Sequence, residues 1–182
     1  GINNLTPSYN KLIISFDLNK TSFKQVKNYI ENIDLEESQN INSKKLEIPV
    51  CCDENFSMDI KRLEKILKLS REKILEKFLN KEYFCYMTGF IAGMPFLGDL
   101  DENMRAQRLE TPRVKVPKGS VAITEQFANI YTFESPGGWN ILGNTPLDVF
   151  DSSKEDKPNL INPGDTVIFK EITIEQYKNF NE

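Results

Sequence analysis

The chain has 182 residues, 39% of them hydrophobic, and a formal net charge of −4, which suits one domain of ordinary size or two small ones with a folded core. The acidic balance argues against a nucleic-acid binder, which needs a basic face. There is no histidine, so a Ser-His-Asp triad, a Cys-His pair and His-Glu-x-x-His zinc chemistry are all excluded within this chain.

In chain order, Lys11 to Phe16 reads as a strand by its β-branched and aromatic content. Thr21 or Ser22 then caps a helix with Phe23, Val26, Ile30 and Ile33 at helical spacing. Lys44 to Val50 reads as the next strand, and Pro49 places it at a sheet edge or before a loop. Ser57 is expected to cap a helix carrying Ile60, Leu63 and Leu67, and Ser70 one carrying Ile74, Leu75, Phe78 and Leu79. Leu69 and Ile74 have hydrophobic-staple spacing around that second cap.

After Tyr83 the pattern turns to short strands, at 83–87, 120–123, 130–133, 139–142 and 166–171. Val116-Pro117-Lys118-Gly119 has type I turn chemistry, and Asn162-Pro163-Gly164-Asp165 that of type II. Residues 151–159 are polar and read as a solvated loop. The change of pattern predicts a domain boundary near residue 80, giving domains 1–80 and 81–182. No apolar run reaches membrane-spanning length and no signal peptide opens the chain, so the expectation is a cytoplasmic protein that does not engage a membrane.

Chemistry concentrates between Gly89 and Pro146. Glycines and prolines at Gly89, Gly93, Pro95 and Gly98, with Phe90 between them, read as the backbone of a pocket. Arg108 and Arg113 flank Thr111-Pro112 and suit a carboxylate or phosphate through guanidinium geometry; surface pairing with Glu102, Glu110 or Glu134 is the alternative. Glu134-Ser135-Pro136-Gly137-Gly138-Trp139 reads as a tight turn with a glycine at positive φ, its N–H groups facing a ligand and Trp139 either core or pocket wall. Ser120 is a candidate ligand contact through its hydroxyl, but as a nucleophile it lacks a histidine base. Cys51 and Cys52 are adjacent and Cys85 stands alone, so no metal clamp is expected and the thiols read as reduced and packed. Lys118-Gly119-Ser120 reverses the Walker order, so nucleotide use is not legible.

The blocks from Gly89 to Pro146, with Ile48-Pro49-Val50-Cys51 and Asn162-Pro163-Gly164-Asp165-Thr166-Val167-Ile168-Phe169, resemble the KipI family over nearly the whole chain. That family includes the B subunit of bacterial ATP-dependent 5-oxoprolinase, proteins labelled allophanate hydrolase subunit 1, and part of the carboxyltransferase region of urea carboxylase. The resemblance implies an α+β fold: a ferredoxin-like N-terminal domain, incomplete here because Pro7-Ser8-Tyr9-Asn10-Lys11-Leu12 matches its middle, followed by a cyclophilin-like β-barrel. It further implies a subunit that opens the lactam of 5-oxoproline with ATP to give glutamate. Such a subunit would be inactive alone, its active site completed by a second carboxyltransferase-like subunit, with a lactam-utilisation subunit as a candidate further partner. Two alternatives are a KipI-like inhibitor of a sensor histidine kinase and a carboxyltransferase component acting on urea-like amides. Two departures stand out. Ala92-Gly93-Met94 replaces the family's Pro-Gly-Phe, and Phe78 stands where relatives commonly carry a histidine, either a lost catalytic group or a neutral packing replacement.

Overall fold

The computed structural model describes residues 1–34 and 43–180. The chain forms two compact units, Gly1–Asn42 and Ser43–Glu182. In the first, β1 (Ile2–Ser8) and β2 (Lys11–Phe16) form an antiparallel hairpin whose turn holds Tyr9 at φ 52. Then α1 (Phe23–Glu31) starts at Ser22 in a reciprocal capping box with Gln25. The strand, cap and helix follow the sequence pattern; β1 was hidden by its polar residues and Pro7.

The second unit is built on a seven-stranded sheet. Its strands are β3 (Lys45–Val50), β4 (Glu82–Thr88), β5 (Pro95–Gly98), β7 (Ser120–Thr124), β8 (Phe127–Ile130), β10 (Asn140–Asn144) and β11 (Thr166–Glu171). The spatial order is β10-β7-β8-β5-β4-β11-β3, antiparallel except for the parallel pair β11 and β3. Cys51, one step past β3, exchanges backbone hydrogen bonds with Asn144 at the end of β10, at 2.8 and 3.0 Å. This single bridge joins the two edge strands and makes the sheet barrel-like, so the fold is α+β. As Pro49 suggests, β3 is an edge strand.

Helices α2 (Ile60–Leu67) and α3 (Arg71–Leu79) pack their apolar faces into the main core with Ile48, Tyr83, Val167 and Phe169. The chain's compact division therefore falls at Asn42/Ser43 and not near residue 80, because β3 is sewn into the sheet through β11. Phe78 is fully buried, stacked on Phe169 at 4.8 Å between ring centroids, which is a packing role. Two further strands, β6 (Arg113–Val116) and β9 (Ser135–Gly137), pair as a separate ribbon, and α4 (Ile174–Lys178) follows β11.

Several sequence expectations shift. The cap of α2 is Asp59 and not Ser57, whose hydroxyl instead donates to the Asp53 carbonyl. Ser70 does cap α3. The strand expected at 130–133 is β8 at Phe127–Ile130, because the chain leaves the sheet after Ile130. The turn expected at 116–119 runs one residue later: the Ser120 N–H donates to the Pro117 carbonyl with Gly119 at φ 79. This is type II geometry. The Asn162-to-Asp165 turn forms as its chemistry demands, with Gly164 at φ 96. Among the described residues, no helix is long and apolar enough to cross a membrane.

Candidate functional site

The walls of the second unit separate two apolar clusters by strand alternation. In β7 and β8, Val121, Ile123, Ala128 and Ile130 point into the main core. Ala122 points the other way, into a smaller cluster with Met94, Val116, Tyr131 and Ile141, against which Ile91 and Trp139 pack. Over this outer cluster lies a cavity of about 330 Å³ lined by Phe90, Met94, Phe96, Arg108, Pro112, Tyr131 and the 136–139 segment.

The cavity's shape follows from the ribbon. Arg113 of β6 pairs with Gly137 of β9 in register, and the Leu109 N–H donates to the Gly138 carbonyl at 2.7 Å. Those contacts set the 108–112 segment beside the Gly137-Gly138-Trp139 segment. Phe96 and Trp139 meet edge to face with ring centroids 5.6 Å apart, giving an aromatic wall. Neither Gly137 nor Gly138 has positive φ, contrary to the turn expectation. Gly137 is required for a different reason: a Cβ there would collide with the Tyr131 hydroxyl, so its absence lets the phenol nest against the ribbon. A Cβ on Gly138 would meet only ordinary contacts, the nearest at 3.6 Å.

The two arginines separate. Arg108 is exposed at the cavity wall, and among the described residues no carboxylate pairs with it. Arg113 points elsewhere: its Nη2 donates to Asp59 Oδ1 at 2.7 Å, while Asp59 Oδ2 accepts from the Ile141 N–H at 2.8 Å. It thus ties β6 to the start of α2 and does not line the cavity, and its partner is none of the glutamates its surroundings offered.

Other expected site residues also fall outside the cavity. Ser120 is buried in β7 and Glu134 pairs with Lys115 at 2.8 Å on the surface. Ser135 opens β9 with its hydroxyl buried and, among the described residues, without a partner. Gly93, at φ 69, lets the chain pass the Phe150 ring, Pro95 begins β5, and Gly98 lies against the Tyr86 ring. Gly89 meets nothing and serves the loop through its N–H to the Met94 carbonyl. Of that group only Phe90 reaches the cavity, held at φ 71.

Sequence reasoning missed Tyr131, Met94 and Phe96 as lining residues. The available signal was Asn129, a polar residue inside the apolar run 127–130 that marks which face of β8 is special. Burial pushes the Tyr131 phenol up from its ordinary value; the nearby Trp139 N–H, Asn129 side chain and Arg113 charge act in the opposite direction. Among the described residues no lining residue is Asp, Glu, Lys or Cys, so what they offer is an anion clamp, an apolar wall and a phenol.

The carboxyltransferase domain, subdomain C and D, family model matches residues 1–161. The chain belongs to this family. It is 33% identical to the B subunit of 5-oxoprolinase from Bacillus subtilis over 97% of this chain and 78% of that protein. It is 40% identical to the corresponding B subunit from Haemophilus influenzae over 68% of this chain and 58% of that protein. The K. lactis urea amidolyase structure, at 21% identity, superposes with a TM-score of 0.82 over 98% of this chain and 13% of its own, which shows a shared fold. Within this family frame, the barrel-like unit and its outer cavity are parts of a carboxyltransferase-type domain.

Proposed function

We propose that this protein is a subunit of a 5-oxoprolinase and that its cavity binds the lactam substrate. Supporting this are the two relatives named as B subunits of 5-oxoprolinase and, above all, a guanidinium without a carboxylate partner among the described residues, beside an aromatic wall in a small cavity. 5-Oxoproline is a small ring bearing one carboxylate. Arg108 would take the carboxylate, bidentate where geometry allows, and Phe96 and Trp139 would flank the ring.

The described residues give the cavity no carboxylate, lysine or cysteine to act as base, so in this reading the chain is inactive alone and a partner of related fold completes the catalytic centre. ATP, which the family resemblance implies, does not fit this cavity: a triphosphate would meet a single cation and no cradle of backbone N–H groups at a helix start. The nucleotide is therefore handled by partner subunits in this reading. The reduced, buried cysteines accord with a cytoplasmic setting.

The test is ATP-dependent release of glutamate from 5-oxoproline. The purified chain is expected to give none, and the complex with its partner subunits a full rate. Arg108→Gln in that complex should raise KM by about tenfold, the loss of one charge-assisted contact. Turnover by the chain alone, or an unchanged KM in the variant, overturns the assignment.

A further inference from the structure

The outer cluster contains a polar side chain for which binding a carboxylate gives no reason. Asn129 is fully buried in β8. Its register partners are Phe96 on β5 and Ala122 on β7, and directly paired residues project to the same face of a sheet. Phe96 lines the cavity and Ala122 belongs to the outer cluster, so the Asn129 carboxamide lies behind the cavity floor. Its Nδ2 approaches Met94 Sδ at 3.9 Å, and its Oδ1 has no hydrogen-bond partner among the described residues. An apolar residue would avoid the cost of burying that group, so its presence calls for a use.

The use is next to it. Tyr131 is buried and lines the cavity, and its hydroxyl sits against Gly137, a position where any side chain would displace it. The Trp139 N–H and the Asn129 side chain lie near enough to the phenol oxygen to favour negative charge on it. A carbonyl oxygen can only accept, so toward one the hydroxyl acts through its hydrogen. Burial keeps that hydrogen in place through neutral pH.

We propose that Tyr131 donates a hydrogen bond to the ring carbonyl oxygen of the lactam, and that Asn129 is a positioning residue that fixes the phenol for this contact. The proposal rests on the lactam reading above and deepens it: Arg108 selects for the carboxylate, Tyr131 for the amide. A site built to hydrogen-bond a substrate group discriminates strongly against an analogue lacking it.

The experiment titrates the full chain with 5-oxoproline and with cyclopentanecarboxylate, which keeps ring and carboxylate but has no carbonyl. The wild type should bind 5-oxoproline at least tenfold more tightly. Tyr131→Phe should lose about tenfold for 5-oxoproline and leave cyclopentanecarboxylate within twofold, whereas Arg108→Gln should weaken both. Asn129→Leu should weaken 5-oxoproline and move the ultraviolet-detected ionisation of Tyr131 to higher pH, a shift that a purely structural loss would not produce. If both ligands bind the wild type equally, or Tyr131→Phe spares 5-oxoproline while Arg108→Gln does not, the Tyr131 contact is overturned and the lactam reading survives. If the wild type binds neither ligand, both fall. The wild-type comparison decides even if a variant fails to fold.

Discussion

Arg113 shows how one guanidinium becomes structural while its neighbour Arg108 stays available. Asp59 is 4% exposed and would be a buried, half-satisfied carboxylate without Arg113. Removing one partner of such a pair costs several kcal/mol, because the remaining charge is left desolvated. Arg113→Met should therefore lower unfolding stability by about 3 kcal/mol in urea titrations, and adding Asp59→Asn should recover a large part of that. Binding of 5-oxoproline at Arg108 should persist in the double variant. A variant of normal stability that no longer binds would return Arg113 to the ligand. At this scale the sequence identified Arg108, Gly137, Gly138 and Trp139 as neighbours of one cavity, because proline and glycine at close spacing mark unusual backbone. It could not separate the two arginines, since Asp59 lies far along the chain and only the fold brings it to Arg113. Tyr131 stayed hidden because nothing local distinguishes a phenol aimed at a cavity from one packed in a core.

Among the elements, those with a cap or an apolar pattern were legible, and those rich in polar residues, proline or glycine, such as β1, were not. Helices α1 and α3 announced themselves by Ser caps and apolar spacing, and β11 by an unbroken apolar run. By contrast β5, β6 and β9 are three or four residues long and contain proline, glycine or charge, too little for a period to register. Closure of the barrel was likewise invisible, because it hangs on the bridge between Cys51 and Asn144. Gly143 makes that approach possible. A Cβ there would lie 2.7 Å from the Cys51 carbonyl oxygen and 2.8 Å from Val50 Cγ2. Gly143→Ala should cost about 2 kcal/mol through forced displacement of backbone. Hydrogen exchange should then speed up at the Cys51 and Asn144 amides well before those between β7 and β8. Uniform protection in the variant would show that the seam does not depend on Gly143.

For the whole molecule, the absence of histidine and the burial of three thiols together shape the response to pH. With no side chain of ordinary pKa near 6.5, stability should be flat between pH 6 and 8. Above that range the thiols matter. Burial pushes Cys52 and Cys85 up to about 12 from an unfolded value of 9.0, and raises Cys51 as well. The unfolded chain therefore loses its thiol protons first as pH rises, so the folded state becomes less stable above pH 9, by up to about 1.4 kcal/mol per pH unit for each thiol. Urea titrations between pH 8.5 and 10 should show this slope, and Cys52→Ala/Cys85→Ala should flatten it. A loss of stability between pH 6 and 8 would contradict it.

The parallel pairing of β3 with β11 also fixes a schedule for biosynthesis. Residues 45–50 leave the ribosome well before the strand they lie against, residues 166–171, has been made. Throughout that interval a nascent chain carries an apolar strand with no ladder partner, while α2 and α3 can already form locally. Long-range pairings of this kind form late and leave strand edges open to other chains. β3 therefore cannot join the sheet, nor the barrel close through Cys51 and Asn144, until residues 166–171 have been made.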